Sequence, residues 1–425
     1  MVIIESKMIY KPQPIYLKSL YSNEIPKATY LTHGFDRYPS KMIPHMARFL
    51  IELISKPGDV ILDPFCGSGA VLVESMICNR NAIGVDLNPL AVIMAETKTT
   101  TYDPDVLIQQ REWLLNEFRS CCEPYQYVYP NANYWFTPAT LRKFGAIKYV
   151  LDSCSLKFEP KYLQFWHALV ASIVRKCSKA DTRGPKPFIS KKAREKRSGD
   201  FDPFMFFDSE ACKWISIERD FINKIQVSDS IQKIIVLKGD VRSLHLLLPD
   251  QKVDAIITSP PYINAQDYYR STKIELFTIG LASPEDLREL SKQFIGSDRI
   301  CSEQSLLCNA LPSSLAQELR NELAVRNKKN ACVFAKYVLD MSVSFEQIHD
   351  VLKDNGNCAI VSGHNFISGI DIPTHDILAE LACSSGFELT FSFVDEIRDR
   401  WVPTIRNGHN GVIRREYLMV FRKSR

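Results

Sequence analysis

The chain is constrained most by one short passage, Val60-Ile61-Leu62-Asp63, an apolar run that ends in an acid and breaks at once into Pro64-Phe65-Cys66-Gly67-Ser68-Gly69. Two glycines between a strand and a helix let the backbone turn sharply and approach a ligand with no Cβ in the way. A helix is expected from about Ala70 to Cys78. The pattern then repeats: Ala82-Ile83-Gly84-Val85 reads as a strand within Asn81 to Asp86, ends in an acid and leads into a helix from Pro89 to about Thr97. Upstream, Met42, Met46, Phe49, Leu50, Leu53 and Ile54 recur at helical spacing, so Met42 to Ile54 is predicted helical, with Pro57-Gly58-Asp59 ending it. This βαβα order, with right-handed crossovers, predicts the start of a parallel sheet.

From about Tyr102 to Ser230 the pattern turns helical, with Val106 to Arg119, Thr137 to Leu151 and Tyr162 to Val174 the clearest helices. Strands return at Ile234 to Leu237, ahead of Gly239-Asp240, and at Val253 to Thr258, ahead of Ser259-Pro260-Pro261-Tyr262. A polar, Leu-rich helical excursion follows at 280–330. After a helix at about Ala335 to Leu352, Cys358 to Ser362 reads as a strand and Ile372 to Ser385 as a helix. Glu388 to Val394 and Glu416 to Phe421 form an expected antiparallel edge pair. The fold class is therefore α/β, a Rossmann-like, mostly parallel sheet with an antiparallel edge strand and a helical insertion. Residues 32–100 form its first half, 101–233 the insertion, and 234–425 the second half.

Composition narrows the function classes. The longest apolar runs, such as Ala168 to Val174, fall far short of the roughly 20 residues that span a bilayer, and Met1-Val2-Ile3-Ile4-Glu5 carries no charged start before an apolar stretch, so a secretory signal is not expected. A cytoplasmic protein without a membrane anchor is expected. The 12 cysteines are scattered, and the adjacent pair Cys121-Cys122 forms neither a relaxed disulfide nor a CxxC knuckle, so reduced thiols and no metal site are expected. The histidines, including His33, His45, His364 and His409, are unclustered. The net charge of +4 is uneven. Arg175 to Arg197 carries +8, leaving the rest of the chain at −4. Phosphate contact is expected of Arg183, Lys186, Lys191, Lys192, Arg194, Lys196 and Arg197, around the stiff turn Gly184-Pro185-Lys186-Pro187-Phe188.

The glycine turn gains meaning from Asp86, which closes the next strand where an acid accepts hydrogen bonds from ribose hydroxyls. Phe65-Cys66-Gly67-Ser68-Gly69 lacks the third glycine and phosphate-receiving helix start of a dinucleotide site. Asp63, at the strand tip, attracts the ammonium and sulfonium charges of S-adenosylmethionine. That cofactor fits better than NAD. Cofactor contact is expected of Asp63, Pro64, Phe65, Gly67, Ser68, Gly69, Asp86, Leu87 and Asn88, with Cys66 a packing residue.

Ser259-Pro260-Pro261-Tyr262 follows a buried strand at the same sheet edge. Two prolines fix φ near −65° and remove two donors, so the loop presents acceptors. An amino group on a base is a poor nucleophile because its lone pair is delocalised into the ring. Acceptance of both its hydrogens, by Ser259 Oγ and the Pro260 carbonyl, favours a pyramidal nitrogen facing the methyl donor, while Tyr262 stacks on the extruded base. Methylation at cytosine C5 needs a cysteine nucleophile, usually in Pro-Cys, and no Pro-Cys occurs.

At these residues the chain resembles the DNA amino-methyltransferases, the N4-cytosine and N6-adenine family, whose marks are an FxGxG turn and a [DNS]PP[YFW] loop. The resemblance spans about residues 32–100 and 234–422. It implies that His33 to Leu53, with Tyr38, Ser40 and Lys41, closes over the methionine part of the cofactor, and that Asp240 lies near its adenine. It also implies double-stranded DNA with a flipped target base as substrate, and a modification enzyme paired with a cognate restriction endonuclease. The serine form of the loop is the commoner one among the N4-cytosine enzymes. Adenine-N6 methylation, RNA base methylation and a silent binding homologue are the rivals. The target-recognition region falls in 102–233, on charge, or in 280–330. Near the end, Arg398, Arg400, Arg406, Arg414 and Arg415, interleaved with Trp401 and Asn410, are expected at phosphates, with surface salt bridges the alternative for some of them.

Overall fold

The computed structural model describes residues 12–36, 38, 41–129, 131–182, 186–197, 199–225, 232–263, 268–299, 304–396 and 415–424. Ser40, Arg183 and Arg406 lie outside these residues, as do 397–414 and the side chain of Lys196.

Ten strands are described: β1 Gln13–Ile15, β2 Val60–Asp63, β3 Asn81–Asp86, β4 Ile234–Lys238, β5 Val253–Thr258, β6 Leu352–Gly363, β7 Asn365–Ile367, β8 Ile370–Ile372, β9 Phe387–Glu396 and β10 Arg415–Lys423. Eight form one sheet in the order β1-β9-β10-β6-β5-β2-β3-β4, while β7 and β8 form a separate hairpin. All neighbours in the large sheet are parallel except β10, which runs antiparallel to both β6 and β9. The antiparallel strand thus lies inside the sheet, and the edge beyond β9 is taken by β1.

Alternation along the strands explains the sandwich. Ile61, Ala255, Ile257, Ala359, Val361, Leu418 and Val420 pack on Met46, Leu50 and Ile51 of the helix Pro44–Ile54. Their neighbours Leu62, Ile256, Cys358, Ile360, Met419 and Phe421 pack on the opposite face, against Phe334, Val338 and Phe345 of the helix Lys328–Val351 and Leu378 of Thr374–Ser384. A sheet covered on both faces requires continuous apolar runs, which is how these strands read in the sequence.

The insertion leaves β3 through the helix Pro89–Thr99 and returns at β4. Its helices Pro104–Ser120, Pro138–Ser153, Pro160–Val174 and Pro203–Ile225 share one apolar cluster. That cluster also holds Phe35, Leu90 and Met94 from the first half and Ile274, Leu276 and Leu287 from the second, so the three parts are packed together. The 280–330 excursion divides: Leu287 joins the insertion, whereas Ala316, Leu319 and Leu323 join the sheet core.

A buried charge cluster clamps the segment ahead of β2 to the helix Ala70–Ile77. Glu74 accepts from Arg48 Nε at 2.7 Å, faces His33 Nε2 at 2.8 Å and accepts from the Tyr30 hydroxyl. Removing one partner from such a buried cluster leaves uncompensated charge. Glu74→Gln should lower the unfolding free energy in urea by about 3–5 kcal/mol. The exposed Glu52→Gln should cost about 0.5 kcal/mol or less. Equal effects would show that the cluster holds nothing together.

Candidate active site

In an open α/β sheet, ligands bind beyond the carboxyl ends of the strands, where the strand order reverses. Here β2 leads outward to β3 and β4, and β5 starts the other direction. A cleft of about 830 Å³, its open mouth included, lies at that point. This falls within the roughly 300–1,000 Å³ of small-molecule sites. Asp63, Pro64, Phe65 and Gly67 line it from β2 and its turn, Asp86 and Leu87 from β3, Asp240 from β4, and Ser259 and Pro261 from β5. Tyr38 and Lys41 close one side. The glycine turn and the serine-proline loop therefore share one cavity.

Two carboxylates give it charge. Asp63 is buried, and its Oδ1 accepts from Thr258 Oγ1 at 2.7 Å and Phe65 N at 3.1 Å. Burial, aided by the charge of Asp86 and opposed by those hydrogen bonds, pushes its pKa up to about 7. Asp86 accepts from Gly67 N at 2.9 Å and Asn88 N at 2.8 Å, one bond to each oxygen. Burial raises it to about 6, against the Asn88 and Gly67 amides. A carboxylate offers about four lone-pair sites, so Asp86 keeps acceptor capacity toward the cleft. Two desolvated acids beside an apolar wall fit a ligand that brings positive charge and hydroxyl donors.

The turn's glycines do different work. Gly67 has φ +50° at the cleft, and Gly69 has φ +82° with the place of its missing Cβ only 3.0 Å from Ala95. Gly69 is thus needed for helix packing and is not among the residues that line the cleft. Ser68 is fully buried and faces away, its carbonyl and hydroxyl both accepting from Lys98 Nζ at 3.0 Å. Asn88 is also outside the cleft wall: Oδ1 caps the helix Pro89–Thr99 at Leu90 N, while Nδ2 donates to Tyr38 Oη at 2.9 Å and Thr272 Oγ1 at 3.3 Å. These three, expected at the cofactor, do not line the cleft and pack behind its walls. Cys66 packs where a Cβ on Gly84 would come within 2.9 Å of its sulfur, and burial raises its thiol pKa.

Asp36 is bound to Lys98 at 2.7 Å, both buried, and faces Lys41 at 3.4 Å. Against the burial that would raise it, Lys98 and Lys41 hold the Asp36 carboxyl at about 2. This pair fixes Tyr38 and Lys41 over the cleft, yet neither Asp36 nor Lys98 stands out in the sequence. The opposite wall, Gln293, Phe294 and Ile295, was equally illegible. Arg242 sets it, bridging Asp240, Asp340 and the Gln293 carbonyl, the last at 2.7 Å.

Pro260 is buried and Tyr262 half-buried, and neither lines the cleft. In the basic stretch, Lys191, Lys192 and Arg194 are exposed, Lys186 is half-buried, and Arg197 is turned inward. Arg197 donates to the carbonyls of Lys176 at 2.5 Å and Ser178 at 2.9 Å and lies over Phe201, so it closes the stretch on itself. Arg175, at its start, binds Glu275 at 3.1 Å and the Ser271 carbonyl, which anchors the stretch beside the segment that follows Tyr262. Contrary to expectation, two histidines do meet: His375 stacks on Tyr417 at 3.7 Å, with His364 4.7 Å from His375. Among the described residues no group of His, Cys, Asp or Glu could hold a metal ion, and no helix is long and apolar enough to cross a membrane.

A family model described as DNA methylase, of the N6/N4 type, matches residues 5–97. The type II methyltransferase M.MvaI of Kocuria varians is 24% identical, covering 90% of this chain and 87% of its own. M.MjaII of Methanocaldococcus jannaschii is 24% identical, covering 70% and 72%. A shorter stretch of 52 residues, 12% of this chain, is 42% identical to 16% of the tRNA (guanine(10)-N2)-dimethyltransferase of Methanothermobacter thermautotrophicus.

A carboxyl raised in the folded state makes the fold bind more protons than the unfolded chain between its ordinary and raised pKa values, so stability falls as pH climbs through that window. For Asp63 the window runs from 3.8 to about 7. The unliganded protein should lose thermal stability between pH 5 and 7, and Asp63→Asn should flatten that slope in a pH series of melting curves. An unaltered slope would mean that Asp63 does not titrate there.

Proposed function

Since the family-model match and the type II methyltransferase relatives support the DNA amino-methyltransferase family, we propose that this chain methylates the exocyclic N4 amino group of cytosine in DNA. The observation that carries the reading is the single cleft bounded by Asp63, Asp86 and Ser259. Asp86 takes the ribose hydroxyls, Asp63 and the turn at Gly67 take the methionine end, Asp240 faces the adenine, and Tyr38 and Lys41 cover the ligand. S-adenosylmethionine, when bound, supplies a methyl group on a cationic sulfur. Ser259 Oγ and, once the loop engages DNA, the Pro260 carbonyl accept hydrogen bonds from the two N–H groups of the flipped cytosine, which turns the nitrogen lone pair toward that methyl; as the nitrogen–carbon bond forms, one of these protons leaves to solvent. Tyr262 stacks on the base once the loop engages DNA. Catalysis is mainly proximity and orientation. Serine at position 259 favours cytosine over adenine, and we read the chain as a modification enzyme with a cognate endonuclease, acting in the cytoplasm. The insertion, with Lys186, Lys191, Lys192 and Arg194, contacts the duplex.

Plasmid DNA incubated with the purified protein and S-adenosylmethionine should acquire N4-methylcytosine at a defined sequence, read by a method that separates it from N6-methyladenine. Modified adenine would replace the base and keep the chemistry. Methylated RNA with untouched DNA would end the reading. Ser259→Ala should spare cofactor affinity and lower turnover about 10- to 100-fold, the scale of a lost alignment; equal turnover would remove Ser259 from the reaction. Asp86→Ala should weaken cofactor binding by about tenfold or more, as loss of hydrogen bonds to a charged group does, measured by calorimetry.

A further inference from the structure

Between the helices Pro104–Ser120 and Pro138–Ser153 runs a strap, residues 121–129 and 131–135, that no motif singles out. It holds Tyr125, Tyr127, Tyr129, Tyr134 and Trp135, with Asn131 and Asn133, one acid in Glu123 and no cation. The strap is rigid. Tyr125 N donates to the Gly145 carbonyl at 3.0 Å, and a Cβ on Gly145 would collide with the Tyr125 carbonyl. The rings of Tyr125, Tyr127 and Tyr129 follow one another at 5.0 and 6.0 Å, and Tyr129 continues to Phe277 at 5.2 Å. Tyr127 Oη donates to the Thr278 carbonyl at 2.6 Å. Phe277 and Thr278 belong to the helix Lys273–Ile279, in the segment that follows the serine-proline loop. The strap is therefore registered against the helix that follows the serine-proline loop in the chain.

Its outer face is unusual for a connector. Val128 is 93% exposed and Tyr134 51%. Asn131, in the left-handed region at φ 65°, and Asn133 are exposed beside them, around a shallow concavity lined by Tyr127, Val128, Tyr129, Asn131, Ala132 and Asn133. Cations reach the strap from other elements: Lys179 Nζ donates to the Asn133 carbonyl at 3.0 Å and Lys273 Nζ lies 5.1 Å from the Trp135 ring, while Lys148 Nζ, paired with Asp152 at 2.9 Å, lies 5.1 Å from the Tyr125 ring. Amide and apolar groups at the centre with positive charge at the rim is the arrangement a DNA groove demands. Asparagine reads adenine through N6 and N7, an aliphatic group contacts the thymine methyl, and cations hold the phosphates.

We propose that this strap is the base-reading element of the protein, entering the major groove of duplex DNA through Val128, Asn131 and Asn133. The basic stretch supplies affinity, and the strap supplies sequence preference. The inference rests on the DNA-methylating reading above.

The test compares the full-length wild type, Asn131→Ala with Asn133→Ala, Val128→Ser, and Lys191→Ala with Lys192→Ala and Arg194→Ala. Each methylates a randomised DNA library that is then sequenced for modified bases. The strap residues altered are exposed, so cofactor binding should stay at the wild-type value. Strap variants should relax preference at one or two positions by about tenfold or more, the discrimination of one good base contact, with the salt slope of DNA binding unchanged. The lysine-arginine variant should keep the preference and lower the slope by about 0.9 for each phosphate it no longer neutralises. A wild type with a defined site and strap variants with the same site would overturn the proposal and leave the methylating activity standing. Loss of self-association on sedimentation with an unchanged preference would overturn it too, making the strap an interface between copies. A wild type that modifies no DNA would sink both readings.

Discussion

The hydrogen bond from Thr258 to Asp63, 2.7 Å long across 195 residues of chain, is the contact on which the site depends. It joins the ends of the two central strands at the reversal of the sheet and fixes where the glycine turn and the serine-proline loop leave it. Because the bond is buried, its partners have no water to replace it. It also shapes the electrostatics, since together with the Phe65 amide it restrains the rise in the Asp63 pKa. The insertion enters after β3 and leaves before β4, at one end of the sheet, so its growth does not disturb the central pair.

The segment ahead of β2 is held by charge where the sheet is held by apolar packing. Asp36, Lys98, Glu74 and Arg48 are all buried. Buried pairs repay their desolvation only with good geometry and further hydrogen bonds, and Lys98 has them through Ser68. What this arrangement provides is position: the segment bearing Tyr38 and Lys41 has one seat on the glycine turn.

Much of the frame was legible because a doubly covered sheet leaves a plain signal. Strands β2, β3 and β5 read as short apolar runs, two of them closing in acids, and the turns after them carry glycine or proline for backbone reasons. The walls were not legible. Ser68, Gly69 and Asn88 sit within the motif, yet their side chains or missing Cβ serve packing, and a linear pattern does not distinguish the two faces of a turn. Gln293 to Ile295 reach the cleft only because Arg242 holds their backbone there. Arg197 belongs to a basic run by composition, but a guanidinium has five donors and here spends several on its own chain's carbonyls. His364 and His375 meet across Tyr417 because β10 lies beside β6, a pairing set by topology and not by spacing.

Asn88 has one amide group and two hydrogens, one donated to Tyr38 above the turn and one to Thr272 at the start of the helix Lys273–Ile279. The covering segment at Tyr38 and the helix Lys273–Ile279 therefore lean on the same small hinge-pin. Were either to move outward, a buried donor would lose its partner, and the strain would be felt on the far side. Linkage of this kind is reciprocal, so a shift of the covering segment is felt at the helix Lys273–Ile279, and a shift of that helix at the segment.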